Sequence, residues 1–236
     1  MTGDRRNMPR QLAFSLPHEA AMGREDFLES AANKAAFDLI DAWPNWPSHV
    51  VLLAGPVGAG KTHLAEIWIS KCDGQRMCAS DLNDQSVAVL VENGPVALED
   101  ADEQRVDQVA LFHLINAIKE AGSYLLITSR SWPASWGITL PDLASRMRSA
   151  TLIEVSEPDD ALLRQVLVKL FSDRQLMIDS SVIEFLVTRM ERSLQAAAEI
   201  VEAVDKHALS EGRAITRPVV GKVLDDFTHG RGRDEE

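Results

Sequence analysis

The stretch "GPVGAGKT", residues 55–62, has the spacing G-x-x-x-x-G-K-[ST] with every required position filled. Its glycines let the backbone turn so that successive N–H groups face one point, which suits a phosphate at the N-terminus of a helix. In such a loop the side chain of Lys61 reaches the terminal phosphates, and the hydroxyl of Thr62 ligates Mg²⁺. The apolar run "VVLLAG" leads into the loop and the helical pattern "HLAEIWIS" leaves it. Because the motif requires this strand–loop–helix context, we predict a nucleotide site rather than a chance loop.

The predicted site extends over the whole loop and one residue beyond it. Its members are Gly55, Pro56, Gly58, Ala59, Gly60, Lys61, Thr62 and His63.

A site of this kind also needs an acid at the end of a neighbouring strand to hold Mg²⁺. The segment "VALED" supplies Glu99 and Asp100 directly after a second apolar run. We predict Glu99 as the metal-side acid together with Thr62, and Asp100 as the catalytic acid that orients water. The first acid at such a position is usually Asp, and Glu is one methylene longer. This departure predicts weak intrinsic ATP hydrolysis.

The pattern of secondary structure changes near residue 157. Before it, the apolar runs at 50–55, 95–100, 124–130 and 150–158 alternate with helical patterns, which is typical of a parallel sheet. After Pro158, four helix-period stretches follow with no strand between them. The predicted fold is an α/β P-loop domain with a parallel sheet followed by a small C-terminal helical domain, which we call the lid. We place a flexible tail at 1–20, the α/β domain at 21–157, the lid at 158–227 and a disordered tail at 228–236.

The composition limits the classes of function. The chain has 236 residues with a formal net charge of −12, 45% apolar residues and 25% charged residues. A strongly acidic chain disfavours nucleic acid as the main partner. The sequence contains neither an apolar run long enough to span a bilayer nor a signal peptide, so we expect a cytoplasmic protein.

Trp132 and Trp136 bracket Pro133, and core packing is the default explanation for both.

Taken together, these segments resemble the AAA+ module of the bacterial replication initiator DnaA, and more closely its short relatives, the Hda-type regulators. The resemblance covers roughly residues 10–227. It implies that Phe27 and Leu28, in "GREDFLESAANK", begin an adenine pocket. It also makes "LLITSR" the sensor I strand, in which either Thr128 or Ser129 is the polar group near the γ-phosphate.

Two arginines acquire roles from the same resemblance. "LASRMRS" is similar to the family's box VII, which makes Arg146 an arginine finger; a structural ion pair is the alternative. "RSLQAAAEI" resembles sensor II and puts Arg192 at the start of a lid helix facing the phosphates. Only nine residues follow Phe227, so we expect no DNA-binding domain of the initiator kind.

The tail segment "QLAFSL" is similar to the peptide by which Hda-type proteins dock on the DNA polymerase sliding clamp. Gln11, Leu12, Phe14 and Leu16 match that peptide. An extended peptide can place alternate side chains in an apolar cleft while its glutamine makes a polar anchor. The alternative is a β-strand packed on the protein's own core.

The resemblance implies a negative regulator of replication initiation. The clamp tethers it, ADP or ATP with Mg²⁺ orders its domains, and Arg146 stimulates ATP hydrolysis on DnaA in trans. A finger that acts in trans implies that the AAA+ surface carrying it can pair with another AAA+ surface, so a homodimer is also possible in this family. The alternatives are a self-contained AAA+ ATPase, such as a helicase loader, and a scaffold whose nucleotide is only structural.

Overall fold

The computed structural model describes residues 22–102, 106–211 and 215–231. The four residues of the predicted clamp peptide, and the two predicted tails apart from residues 228–231, therefore lie outside the described residues. The strands are β1 (Val50–Ala54), β2 (Gln75–Cys78), β3 (Val96–Glu99), β4 (Leu125–Ser129) and β5 (Thr151–Glu154). The helices are α1 (Lys34–Asp41), α2 (Lys61–Cys72), α3 (Asp84–Glu92), α4 (Gln108–Glu120), α5 (Pro141–Arg148), α6 (Asp160–Asp173), α7 (Ser180–Val187), α8 (Leu194–Glu211) and α9 (Arg217–Arg231).

Within the described residues, the strands form one parallel sheet in the order β2-β3-β4-β1-β5. β1 and β4 lie inside the sheet and are buried along their whole length. Strands covered on both faces read as continuous apolar runs, which is why both were evident in the sequence. The carboxyl ends of β1, β3 and β4 meet at one edge of the sheet, where the P-loop follows β1. The predicted α/β fold with a parallel sheet is confirmed.

Successive side chains of each strand enter two separate cores. One face of the sheet, with Leu52 and Ile127, packs against α3, α4 and α5. The other face, with Leu53 and Leu126, packs against α1 and α2. Helices on both faces hold the sheet edge at a fixed position relative to α2, which begins the nucleotide site.

The sequence analysis missed β2 and α3. β2 has the sequence QRMC and is only partly buried, because it lies at the edge of the sheet. An edge strand has one unpaired side and needs no continuous apolar run. α3 begins at Asn83, whose side chain accepts hydrogen bonds from the N–H groups of Gln85 and Ser86. That capping pattern was the available signal for this helix.

The C-terminal region is a helical lid, as predicted, with a core of its own. α6 begins after Asp159, whose carboxylate accepts a hydrogen bond from the Leu162 N–H at 2.7 Å. Asp179 caps α7 in the same way through the N–H of Ser181. Leu163, Leu167, Phe171, Ile183, Leu186, Ile200, Val204 and Leu224 are among the residues that fill this core. None of the helices in the described ranges is long and apolar enough to span a membrane.

Candidate nucleotide-binding site

The P-loop connects β1 to α2 in a conformation that requires glycine. Gly58 and Gly60 have φ values of +72° and +98°, in the left-handed region that other residues adopt only at a cost. At Gly55 a Cβ atom would lie 2.0 Å from the backbone oxygen of Val155, next to β5. The predicted glycines are thus required by backbone geometry, and the loop leads directly into the N-terminus of α2 at Lys61.

Lys61 is almost fully buried beneath this loop. Its ammonium donates hydrogen bonds to the carbonyl oxygens of Gly55 at 2.6 Å and Pro56 at 2.7 Å. Burial lowers the pKa of Lys61 below its ordinary value, and the carboxylates of Asp100 and Asp102 act in the opposite direction. Because the present acceptors of the Lys61 ammonium are neutral carbonyls, charged phosphate oxygens can replace them as stronger acceptors. The next residue, Thr62, lies exposed on the first turn of α2.

The two predicted acids differ in environment. Glu99 ends β3, and its Oε1 atom is buried with no hydrogen-bond partner within the described chain. Burial raises the pKa of Glu99 above its ordinary value, and the positive charge of Arg76 offsets part of that effect. Asp100 follows with a φ of +57°, a conformation that is rare outside glycine and turns the chain at the sheet edge.

The orphaned oxygen of Glu99 and the exposed Thr62 form a donor set that fits Mg²⁺, which prefers a few oxygen ligands and retains water. Within the described residues, no group of three or more His, Cys, Asp or Glu side chains could hold a metal alone. A nucleotide phosphate would therefore have to complete the coordination. The set fits a nucleotide–Mg²⁺ complex better than a free ion.

The two candidate sensor residues make different hydrogen bonds. Thr128 Oγ1 accepts from the Asp100 N–H at 3.2 Å, which leaves its own hydroxyl proton without an acceptor in the described structure. Ser129 Oγ lies 2.9 Å from Asp102 Oδ1 and 2.8 Å from the Ser131 carbonyl, so its proton already has acceptors. Of the two hydroxyls, only that of Thr128 has a proton to donate to a phosphate, and this favours Thr128.

Asp102 is a site residue that the sequence analysis missed. Its Oδ1 atom accepts from the backbone N–H of Arg130 at 3.0 Å as well as from Ser129, and its Oδ2 lies 3.5 Å from Arg130 Nε. The carboxylate thus ties the loop after β3 to the loop after β4. The signal was the third acid in "EDAD", two residues beyond Asp100.

Phe27 lies beside the first turn of α2, whereas the hydrogen-bond partner of Leu28 is Asn33, just before α1. The Phe27 ring stacks on Phe37 at 4.9 Å and meets the edge of His63 at 5.2 Å. The carbonyl of Leu28 accepts from the buried Asn33 side chain at 2.9 Å. The structure therefore brings Phe27 and His63 together next to the P-loop, as an adenine pocket requires.

The lid contacts the P-loop directly, which the sequence analysis did not foresee. The Leu194 N–H donates to the Gly58 carbonyl at 2.8 Å. A Cβ atom on Gly58 would lie 1.9 Å from the hydroxyl oxygen of Ser193, which caps α8 by accepting from the Ala196 N–H. The start of α8 thus rests on the phosphate-binding loop at a position where only glycine fits.

Arg192 comes immediately before this contact but is turned elsewhere. Its guanidinium pairs with the carboxylate of Asp160, the first residue of α6, at 2.7 Å. The structure thus places the backbone of Arg192 next to the P-loop and its side chain on a lid acid. Its predicted role toward phosphates stays a prediction.

A second contact joins the lid to the α/β domain. Lys169 on α6 lies 2.8 Å from Asp26, which precedes Phe27, and also 2.8 Å from Asp173 one turn further along α6. The hydrogen bond from Lys169 lowers the pKa of Asp26 below its ordinary value. The lid is thus connected to both the phosphate side and the base side of the site.

Arg146 lies away from these residues, in the last turn of α5. Its side chain is partly exposed and makes neither a hydrogen bond nor an ion pair with the described residues. Its predicted alternative role, a structural ion pair, is therefore not formed within the part of the chain that the structure describes. The next residues, Met147 and Arg148, line an apolar groove of about 410 Å³.

The two tryptophans after β4 separate into different roles. Trp136 is fully buried and donates from Nε1 to the Ser131 carbonyl at 3.1 Å, as core packing predicts. Trp132 is 38% exposed and lines the groove beside Arg148 and Leu152. Core packing is the wrong explanation for Trp132, because its ring forms a groove wall that remains open.

Comparisons with known proteins agree with this geometry. Residues 160–224, which form most of the lid, match the family described as "Hda, lid domain". Domain III of the replication initiation protein DnaA from Thermotoga maritima superposes with a TM-score of 0.76 over 90% of this chain and 99% of that one, at 16% identity. The family match covers the lid, and the superposition shows that the whole chain shares the fold of that DnaA domain.

Two further proteins are similar to this chain. A protein of Haemophilus influenzae named "Uncharacterized protein" is 29% identical over 182 residues, which are 72% of this chain and 79% of that protein. AMPPCP-bound DnaA from Aquifex aeolicus superposes with a TM-score of 0.64 over 80% of this chain and 66% of that one, at 19% identity. At such identity the structural likeness shows a shared fold, and that relative holds its nucleotide on it.

The Gly58 contact yields a matched test. We expect Gly58→Ala to detach the lid and weaken nucleotide binding at least tenfold, because the new methyl group collides with Ser193 and the left-handed φ costs roughly 1–3 kcal/mol. Gly94→Ala is the control, since Gly94 has a φ of +104° with no atom within 4 Å of the added methyl group. Hydrogen exchange at the Leu194 N–H should accelerate in the first variant alone. Equal exchange in both variants would show that the lid contact is not needed.

The buried acid yields a second prediction. Because burial raises the folded-state pKa of Glu99, its ionised form destabilises the nucleotide-free protein above the ordinary pKa of 4.5. We expect Glu99→Gln to raise Tm by about 1–3 °C at pH 7.5, since a partly exposed carboxylate contributes less than about 1 kcal/mol. The difference in Tm between the variant and wild type should shrink as the pH falls toward 4.5, because the Glu99 carboxylate then becomes protonated in wild type as well.

Thermal unfolding of nucleotide-free protein at pH 7.5 and pH 5.0 measures this difference. The exposed Glu92→Gln change is the control and should leave Tm unchanged. A lower Tm for the Glu99→Gln variant than for wild type at pH 7.5 would mean that the Glu99 carboxylate already has a stabilising partner.

Proposed function

We propose that this chain is a negative regulator of replication initiation that stimulates ATP hydrolysis on the initiator DnaA. The observation that carries the proposal is the state of Arg146 at the end of α5. Its side chain is partly exposed and makes no ion pair with the described residues, and it lies within the segment that resembles box VII. An arginine that the chain does not use for its own stability is available to a partner.

The chemistry of the proposed finger is electrostatic. A guanidinium placed at the γ-phosphate of a partner's ATP stabilises the charge that develops during transfer to water, an effect of about 10³–10⁵ in rate in well-studied GTPases. In this proposal the hydrolysed ATP belongs to DnaA. Arg148 and Trp132, which line the adjacent groove, supply a charged and an apolar surface next to the finger.

The chain's own nucleotide then serves as a structural ligand. ADP or ATP would be held by the P-loop amides, with Lys61 on the terminal phosphates and Thr62 on Mg²⁺. Phe27 and His63 would face the base. The lid contact at Gly58 is formed without a nucleotide, and a nucleotide that orders the loop would stabilise it further. The metal neutralises phosphate charge when it is bound.

The sliding clamp is the proposed tether. Gln11, Leu12, Phe14 and Leu16 lie outside the described residues, so this part of the proposal is supported by the sequence alone. A regulator held by clamps at working forks would act only while replication is in progress. A protein with that role would act in the cytoplasm. The AAA+ surface that carries Arg146 could also pair with a second copy of this chain when no initiator is present.

A self-contained ATPase, such as a helicase loader, is the second candidate. It is favoured by the position of Lys61, Asp100 and Thr128 at one sheet edge, where the Asp100 N–H donates to Thr128 Oγ1 at 3.2 Å. Glu99, which is one methylene longer than the usual Asp, argues for slow turnover at this site. Measured intrinsic hydrolysis separates the two candidates, since a loader would depend on Glu99 and Asp100.

The finger has a direct test. We expect Arg146→Ala to lower stimulation of ATP hydrolysis on DnaA by at least 10²-fold, because the charge that stabilises the partner's transition state is lost. Released phosphate is measured with DnaA–ATP, DNA-loaded clamp and each variant. Arg148→Ala removes the neighbouring positive charge and should keep most of the stimulation. Nucleotide and clamp binding should be normal in both variants, and full stimulation by Arg146→Ala would exclude the finger.

The tether has an independent test. The double change Gln11→Ala and Leu12→Ala should abolish micromolar binding to purified sliding clamp, because it removes the polar anchor and one apolar contact of the peptide. Biosensor titration measures this, with Met8→Ala, just outside the motif, as the control. Wild-type protein that folds and binds nucleotide but not the clamp would assign "QLAFSL" to another surface.

A further inference from the structure

The ion pair between Arg192 and Asp160 occupies a particular place in the lid. Asp160 is the first residue of α6, and Arg192 lies two residues before α8, so the pair joins the beginnings of two helices. The two side chains are 52% and 53% exposed, and the atoms Nη2 and Oδ1 are 2.7 Å apart. Solvent can reach the pair, so either side chain can leave it.

The backbone next to this pair rests on the P-loop. Ser193 packs where a Cβ of Gly58 would lie, and the Leu194 N–H donates to the Gly58 carbonyl. The residue that follows Arg192 in the chain, Ser193, therefore contacts the P-loop. The arginine side chain is long and has several rotatable bonds, so a change of rotamer can carry its guanidinium away from the α6 acid and toward the P-loop.

We propose that Asp160 is a latch that holds Arg192 away from the nucleotide and competes with its phosphates for the guanidinium. This inference rests on the proposed nucleotide site. A carboxylate and a phosphate both match the planar fork of donors that arginine presents, so they can replace each other on it. Binding of a nucleotide would thus exchange one partner of Arg192 for another and release Asp160.

The other cation near Asp160 is already committed. Arg164 donates to the backbone carbonyl of Asp160 at 3.2 Å, while its guanidinium is held by the carboxylate of Glu184. Among the described residues, Arg192 is the ion-pair partner of the Asp160 carboxylate. Removing that carboxylate should therefore act on Arg192 first.

The exposure of the pair sets the size of the effect. Solvent-exposed ion pairs shift an equilibrium by at most about fivefold. A latch of this strength delays Arg192 without preventing nucleotide binding. We therefore expect Asp160→Asn to tighten binding of fluorescent ADP and of AMPPCP by about two- to fivefold.

A double-mutant cycle in the full chain tests the latch. Arg192→Ala should weaken binding, and adding Asp160→Asn to it should change nothing, because the latch acts only through the arginine. Asp160→Glu keeps a carboxylate and should stay within twofold of wild type. Glu202→Gln neutralises another exposed lid acid, the partner of Lys206, and should have no effect.

Each result decides one question. Tightening by Asp160→Asn that persists in the Arg192→Ala background would overturn the latch in favour of a general charge effect. Binding that Lys61→Ala abolishes and Asp160→Asn leaves unchanged would overturn the latch but keep the proposed nucleotide site. A wild-type chain that binds neither ADP nor AMPPCP would overturn both.

Discussion

The hydrogen bond from the Leu194 N–H to the Gly58 carbonyl is the constraint on which the arrangement of the site depends. It joins the first turn of a lid helix to the loop that cradles phosphate, and it is possible only because position 58 has no side chain. The loop's shape and the lid's position are therefore one property of the molecule. Any ligand that orders the loop also stabilises the position of the lid, and this couples a small molecule to a surface that a protein could recognise.

Some charged groups around the site already have partners in the nucleotide-free protein, and one does not. Asp102 is occupied by Ser129 and Arg130, and Lys61 by two loop carbonyls, so these groups hold the nucleotide-free site together. Glu99 has a buried oxygen with no partner in the described chain. Three other buried side-chain atoms in the described chain also have no partner, so it is the position of Glu99 at the end of β3, and not the missing partner alone, that suits a ligand. A site with both kinds of group can stay folded when empty and still gain from a nucleotide.

Much of the fold followed from local patterns, and the parts that did not have physical reasons. β1 and β4 are buried on both faces, so their apolar runs were unmistakable, whereas β2 is a polar edge strand whose pairing is decided by its neighbour. The P-loop was evident because glycine and lysine spacing reflects backbone geometry within one segment. Asp102 and the Gly58 contact depend on residues far apart in the chain, and Trp132 remains open to solvent because its ring borders a groove. Such tertiary contacts leave no periodic signal in a single sequence.

Lys169 forms one ion pair across the boundary between the two domains and another within the lid. This lysine lies equally close to Asp26 across the domain boundary and to Asp173 on its own helix. If the lid swings outward, Lys169 keeps Asp173, and Asp26, beside the predicted adenine pocket, loses its partner. Opening would thus leave the negative charge of Asp26 without its partner across the domain boundary, where it would repel a polyphosphate passing nearby. The exit path of the nucleotide would be shaped by that charge as well as by the lid.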